Sequence, residues 1–84
     1  MRVTREEIKT KLFQYLNRSI TIQELVDWAE NAVQEAEYEV KDFDTIRDIL
    51  GRLGLADVKE FGLTWDDCYN FLNALGYRIK IAVV

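Results

Sequence analysis

Asp42, Asp44 and Asp48 form D-x-D-x-x-x-D, the opening of a calcium loop in which alternate carboxylates converge on one hard cation. The pattern fails at two positions that such a loop needs. Its sixth place is Arg47 where glycine makes the sharp turn, and its twelfth is Leu53 where a bidentate glutamate closes the site. These carboxylates read instead as helix-start acids beside a favourable dipole. Asp66 and Asp67 are adjacent, so on a helix they point about 100° apart and cannot share a proton as a catalytic pair. Cys68 lies near a helix start, where a thiolate would be stabilised. It also falls on an apolar stripe with Phe71, Leu72 and Leu75, and no histidine exists to take its proton, so it reads as a core residue. Ser19 is the only serine and precedes a capping threonine, while Gly51, Gly54, Gly62 and Gly76 are scattered and form no phosphate-cradling loop. No catalytic residue, metal ligand or cofactor is assigned, and the chain reads as a non-enzyme.

The composition supports that exclusion. The 84 residues contain no histidine, no proline and one cysteine. Ser-His-Asp and Cys-His machinery, imidazole metal sites, intrachain disulfides and multi-cysteine metal patterns are all ruled out. With 49% apolar and 31% charged residues, the chain has the balance of a globular protein, and its length suits one domain over 1–84. No stretch approaches the roughly 18 apolar residues of a membrane span. The opening MRVTREEIKTK is charged and has no apolar run behind it, so no secretory signal is read. Together with a free thiol, this points to a cytoplasmic setting.

One grammar marks the helix starts. In Val3-Thr4-Arg5-Glu6-Glu7-Ile8, Thr4 and Glu7 form a capping box and Val3 and Ile8 a hydrophobic staple. Ile20-Thr21-Ile22-Gln23-Glu24-Leu25 repeats it, and Leu63-Thr64-Trp65-Asp66-Asp67-Cys68 repeats it with aspartate. A shorter echo, Ala56-Asp57-Val58-Lys59-Glu60-Phe61, opens one turn before Gly62. Glycines at 54 and 76 sit where a left-handed residue would end a helix, with Leu50–Leu55 and Leu72–Tyr77 spaced as the accompanying apolar contacts. Between these signals run stripes of helical period: Ile8, Leu12, Tyr15 and Leu16; Leu25, Trp28, Ala29, Ala32, Val33 and Ala36; Ile46, Ile49, Leu50 and Leu53; and the Cys68 stripe. The fold expected is mainly α, a small bundle of four helices near 5–17, 22–37, 43–53 and 65–75.

The tail has a different period. Tyr77-Arg78-Ile79-Lys80-Ile81-Ala82-Val83 alternates and then turns β-branched, which predicts a C-terminal β-strand over 77–83. Its unpaired amides need a partner. Residues 37–41 are preferred, because Glu37 and Glu39 would face Arg78 and Lys80; residues 1–3 and a second chain are the alternatives. In the last case Arg78, Ile79, Lys80 and Ile81 would pair between two copies as a homodimer.

Function is read from charge. The net −4 hides a basic stretch at 1–18, with five bases and two acids, and an acidic one at 19–46, with eight acids and one base. On a wheel for the second helix, Glu24, Asp27, Asn31, Gln34, Glu35 and Tyr38 lie away from Leu25, Ala29 and Ala32. One reading is a solvated face, partly neutralised by the basic first helix. The sharper one is a docking surface for a basic protein partner, with Trp28 and Tyr38 as aromatic anchors. Trp28 also suits the core, and Trp65 reads as packing against a neighbouring helix before it reads as a binding residue. The preferred function is a non-catalytic protein–protein interaction domain, in one version an acidic inhibitor or immunity-like protein covering a basic toxin or nuclease. The alternatives are a small nucleic-acid-associated regulator using Arg2, Arg5, Lys9, Lys11 and Arg18, and an uncharacterised enzyme or ligand binder. Nucleic acid is disfavoured, because the helix near 65–75 has no Lys or Arg and opens on Asp66 and Asp67.

Overall fold

A computed structural model describes residues 2–35, 37–38, 43–58 and 62–78. Four helices carry the fold: α1 (Arg5–Leu16), α2 (Ile22–Glu35), α3 (Phe43–Leu53) and α4 (Trp65–Ala74). The threonine grammar sets the starts of α1, α2 and α4. Thr4 Oγ1 accepts from Glu7 N at 3.2 Å. Thr21 and Glu24 close a reciprocal box, with Thr21 N donating to Glu24 Oε1 at 3.2 Å and Glu24 N to Thr21 Oγ1 at 3.1 Å. Thr64 and Asp67 close another at 3.0 and 3.1 Å. Each box satisfies amides that the helix itself leaves unpaired.

The staples then feed the core. Val3, Ile8, Leu25 and Cys68 are buried, and their partners Ile20 and Leu63 pack against the same cluster. Ala29 and Ala32 of α2, Ile46, Ile49, Leu50 and Leu53 of α3, and Leu72 and Leu75 at α4 complete it. The α3 stripe is buried as its period requires. On α2, Val26 is buried whereas Val33 is 45% exposed, the reverse of the expected stripe.

Helix ends depart from the sequence reading in two places. Gly76 behaves as expected: it has φ +91°, Gly76 N bonds Asn73 O, and Tyr77 N bonds Leu72 O, a Schellman ending. Gly54 is not left-handed. Gly54 N bonds Leu50 O, and the chain tightens through Leu55 N to Arg52 O and Ala56 N to Leu53 O. Three-residue turns thus take up the last carbonyls of α3 without a positive φ, and Leu55 is left 43% exposed. The second departure is Arg18, which ends α1 at φ +62°. Arg18 N bonds Tyr15 O and Ser19 N bonds Gln14 O, the same Schellman pattern with a side chain where glycine usually stands. For a residue with a Cβ that backbone costs about 1–2 kcal/mol. The echo before Gly62 is closed by Gly62 N to Val58 O at 3.0 Å, with Gly62 at φ +55°.

The second helix stops at Glu35, short of the expected 37. Glu37 is extended instead: strand β2 (Glu37–Tyr38) pairs in parallel with β1 (Arg2–Val3), Arg2 opposite Glu37 and Val3 opposite Tyr38. The period-two character of Glu37-Tyr38 outweighs the helical stripe there. This pairing is two residues long, so the architecture remains mainly α-helical. It joins the two segments that the tail was expected to choose between. Tyr77 and Arg78 have no strand assignment, and the rest of the expected strand, including Ile79, Lys80 and Ile81, lies outside the described residues.

Gly51 and Leu50 give opposite expectations on one helix. A Cβ at Gly51 would meet nothing within 4 Å, so Gly51→Ala should raise unfolding free energy by about 1 kcal/mol through helix propensity alone. Leu50→Ala should lower it by about 2–5 kcal/mol, since Leu50 is fully buried. Urea titration followed by circular dichroism reads both.

Candidate functional site

The acidic face expected on α2 is present in part. Glu24, Asp27 and Asn31 are exposed, and so is Glu30. Glu24 holds the cap of its own helix, and Asp27 Oδ1 accepts from Gln23 Nε2 at 2.9 Å. Glu24, Asp27 and Glu30 make no ion pair among the described residues. The side chains of Glu35 and Tyr38 are outside the described part. Tyr38 does not extend the helical face, because its backbone belongs to β2. Trp28 is half-buried against the core, with Lys11 Nζ 5.8 Å from the centre of its ring. It is therefore a border residue, packed on one side and covered by a cation on the other.

The bases of α1 turn elsewhere. Arg5 Nη1 donates to Leu75 O at 3.1 Å, and its guanidinium lies 5.8 Å from the Tyr77 ring centre. Lys9 Nζ is 4.8 Å from the same ring. These cations fasten α1 to the end of α4, where a positive charge also suits the helix dipole. Glu24, Asp27 and Glu30 of α2 form no ion pair with them among the described residues.

The remaining chemistry-bearing residues are accounted for locally. Asp44 and Asp48 flank Arg47 at 3.7 and 3.8 Å on an exposed face. No cluster of three or more potential metal ligands exists among the described residues. Asp67 is held below the ordinary carboxyl value of 3.8, first by the Thr64 backbone amide, with the Thr64 hydroxyl and Arg52 adding to it against the opposing effect of burial. Arg52 reaches Asp67 Oδ2 at 3.5 Å and Gly62 O at 3.1 Å, tying the end of α3 to the start of α4. Cys68 is fully buried, and burial with the nearby Asp67 charge pushes its thiol up to about 11. The helix-start effect that would favour a thiolate loses to desolvation.

One site escaped the sequence reading. The turn after α1 and the start of α4 enclose an open cleft of about 450 Å³ between Arg18 and Trp65. Trp65 does not pack as expected; it is 53% exposed. The signals were there, a tryptophan at the first position of a helix and an arginine closing another, but nothing in the spacing brings residues 18 and 65 together. No helix among the described residues is long and apolar enough to cross a membrane.

Asp67, depressed in the folded state, contributes stability above pH 3.8 and loses it as pH falls through its lower folded value. The stability gap between the wild type and Asp67→Asn should narrow over that acid range in pH-dependent thermal melts. Cys68, protonated and buried at neutral pH, should react with iodoacetamide only as fast as the domain opens. Labelling much faster than amide exchange of the α4 core would overturn that assignment.

No protein-family model matches the chain, and no curated protein or solved structure matches it, so function has to be argued from its own surfaces.

Proposed function

We propose that this chain is a non-catalytic protein-binding domain whose acidic α2 face docks on a basic partner protein. The observation that carries the reading is the set of exposed carboxylates Glu24, Asp27 and Glu30, which make no ion pair among the described residues while the α1 cations lie on Tyr77 and Trp28. An uncompensated charged face raises encounter rates with a complementary surface and repels wrong partners. Trp28 at its border supplies the aromatic body that interface energies favour. A small inhibitor covering a basic toxin or nuclease is the specific form of this reading. The nucleic-acid alternative has less behind it, because Arg5, Lys9 and Lys11 are already placed against rings and α4 opens on exposed Asp66.

The test must spare the cap. Glu24→Gln keeps an acceptor for the Thr21 amide, whereas Glu24→Lys would damage the helix start. The triple variant Glu24→Gln, Asp27→Lys, Glu30→Lys should melt close to the wild type. In nuclease-treated native lysate at low salt, the wild-type chain should retain a protein partner. The triple variant should bind that partner at least tenfold more weakly, a loss of about 1.4 kcal/mol. Partners that disappear on nuclease treatment, or a triple variant that binds as well as the wild type, would refute the acidic-face reading.

A further inference from the structure

The cleft between α1 and α4 has a chemistry opposite to that of the acidic face. Tyr15 and Leu16 from the last turn of α1 line one side, Leu63 and Trp65 the other, and Ile20 lies between. Among the described residues Arg18 is the only charged one lining it, within a chain of net charge −4. Its guanidinium has no hydrogen bond or ion pair among the described residues.

The backbone at Arg18 makes that cation unusual. Two helices end in the same Schellman geometry, and the second uses Gly76 at the left-handed position. At Arg18 the chain keeps a long charged side chain where glycine would relieve strain, and that side chain lines a cleft. Strain retained in this way is evidence for a role that the fold itself does not require. Trp65 adds an independent observation. A ring 53% exposed that lines a concave site, with no cation over it among the described residues, is a stacking surface.

We propose that this cleft binds a free aryl carboxylate, its ring against Trp65 and its carboxylate on the Arg18 guanidinium. The cleft volume of about 450 Å³ suits one small molecule. A single cation matches a monoanion, and the planar guanidinium matches the fork of a carboxylate. An uncharged ligand would shield Arg18 from water without pairing it, which costs affinity. Leu16, Ile20 and Leu63 supply the apolar lining that a ring prefers. The cleft adjoins the α2 face at Thr21, whose amide bonds Glu24 Oε1, but no α2 carboxylate lines it among the described residues, and this inference does not rest on the docking reading.

The probes are 2-naphthoate and its uncharged analogue 2-naphthamide, titrated into the full chain and followed by ¹H–¹⁵N NMR. 2-Naphthoate should shift the Trp65 indole N–H and the amides of residues 15–21 and 63–65, and bind at least tenfold more tightly than 2-naphthamide. Arg18→Gly preserves the left-handed backbone and should melt no lower than the wild type, yet abolish that tenfold preference. Trp65→Ala should weaken both probes, and Arg18→Lys should retain part of the preference. Equal binding of the two probes, shifts that map away from the cleft, or a full preference retained in Arg18→Gly would overturn the proposal.

Discussion

A helix start leaves amides that nothing inside the helix can satisfy, and three of the four helices meet that constraint with a threonine. The consequence reaches beyond the cap. Fixing the threonine in an extended backbone sets the angle at which the chain enters, so the residues just before it and four into the helix turn inward together. Val3 with Ile8, Ile20 with Leu25, and Leu63 with Cys68 reach one apolar cluster by that route. Cys68 is thus buried because of where it stands in a staple. Its raised thiol value is a consequence of that packing, with the Asp67 charge adding to it.

The same constraint links helices to one another. Asp67 caps α4 and also meets Arg52 of α3, whose guanidinium reaches the Gly62 carbonyl in the turn between them. At the other end of α4, Arg5 donates to the Leu75 carbonyl and lies over Tyr77. An arginine therefore secures each end of this helix, one through a carboxylate at its amino terminus and one at its carboxyl terminus. Both are charge-assisted contacts at partly buried positions, where they are stronger than surface pairs. The Arg52 side also holds Leu63, Thr64 and Trp65 in place, so the wall of the cleft is built from the same contacts that seat the helix.

What could be read from the chain follows from whether the deciding information is local. Caps and stripes are local, and α3 runs over Phe43–Leu53 with Ile46, Ile49, Leu50 and Leu53 inward, as its period requires. Val26 and Val33 lie seven apart on one flank of α2, so no helical period can separate them; what covers one and leaves the other exposed comes from neighbouring elements. Gly54 and Arg18 show the limit of residue preference. Tight turns ended α3 without using the freedom of its glycine, while the return of the chain toward α2 forced a left-handed backbone on an arginine. At Glu37 the period-two signal won over the helical one, because Arg2–Val3, 35 residues earlier in sequence, offers a backbone partner. The acidic face was legible as composition. Its loss of Tyr38, and the cleft joining Arg18 to Trp65, required the tertiary arrangement.

Net charge is consequently a poor guide to what this surface attracts. The −4 total combines a basic stretch over 1–18, an acidic one over 19–46 and small terms elsewhere. Had Arg5, Lys9 and Lys11 paired with Glu24, Asp27 and Glu30, both faces would be neutral and neither would select a partner. Among the described residues these cations lie against rings instead, Arg5 and Lys9 at Tyr77 and Lys11 at Trp28. Arg18, beyond the end of the helix, is left with neither a ring contact nor an ion pair among the described residues. An anion approaching it meets a chain of net charge −4, and at the cleft this one cation. Beyond a Debye length of about 8 Å in physiological salt the repulsion is largely screened, whereas a contact formed inside a partly enclosed site is screened much less. Selectivity at such a site resides in the last few ångströms, where the placement of one guanidinium beside one ring decides the outcome.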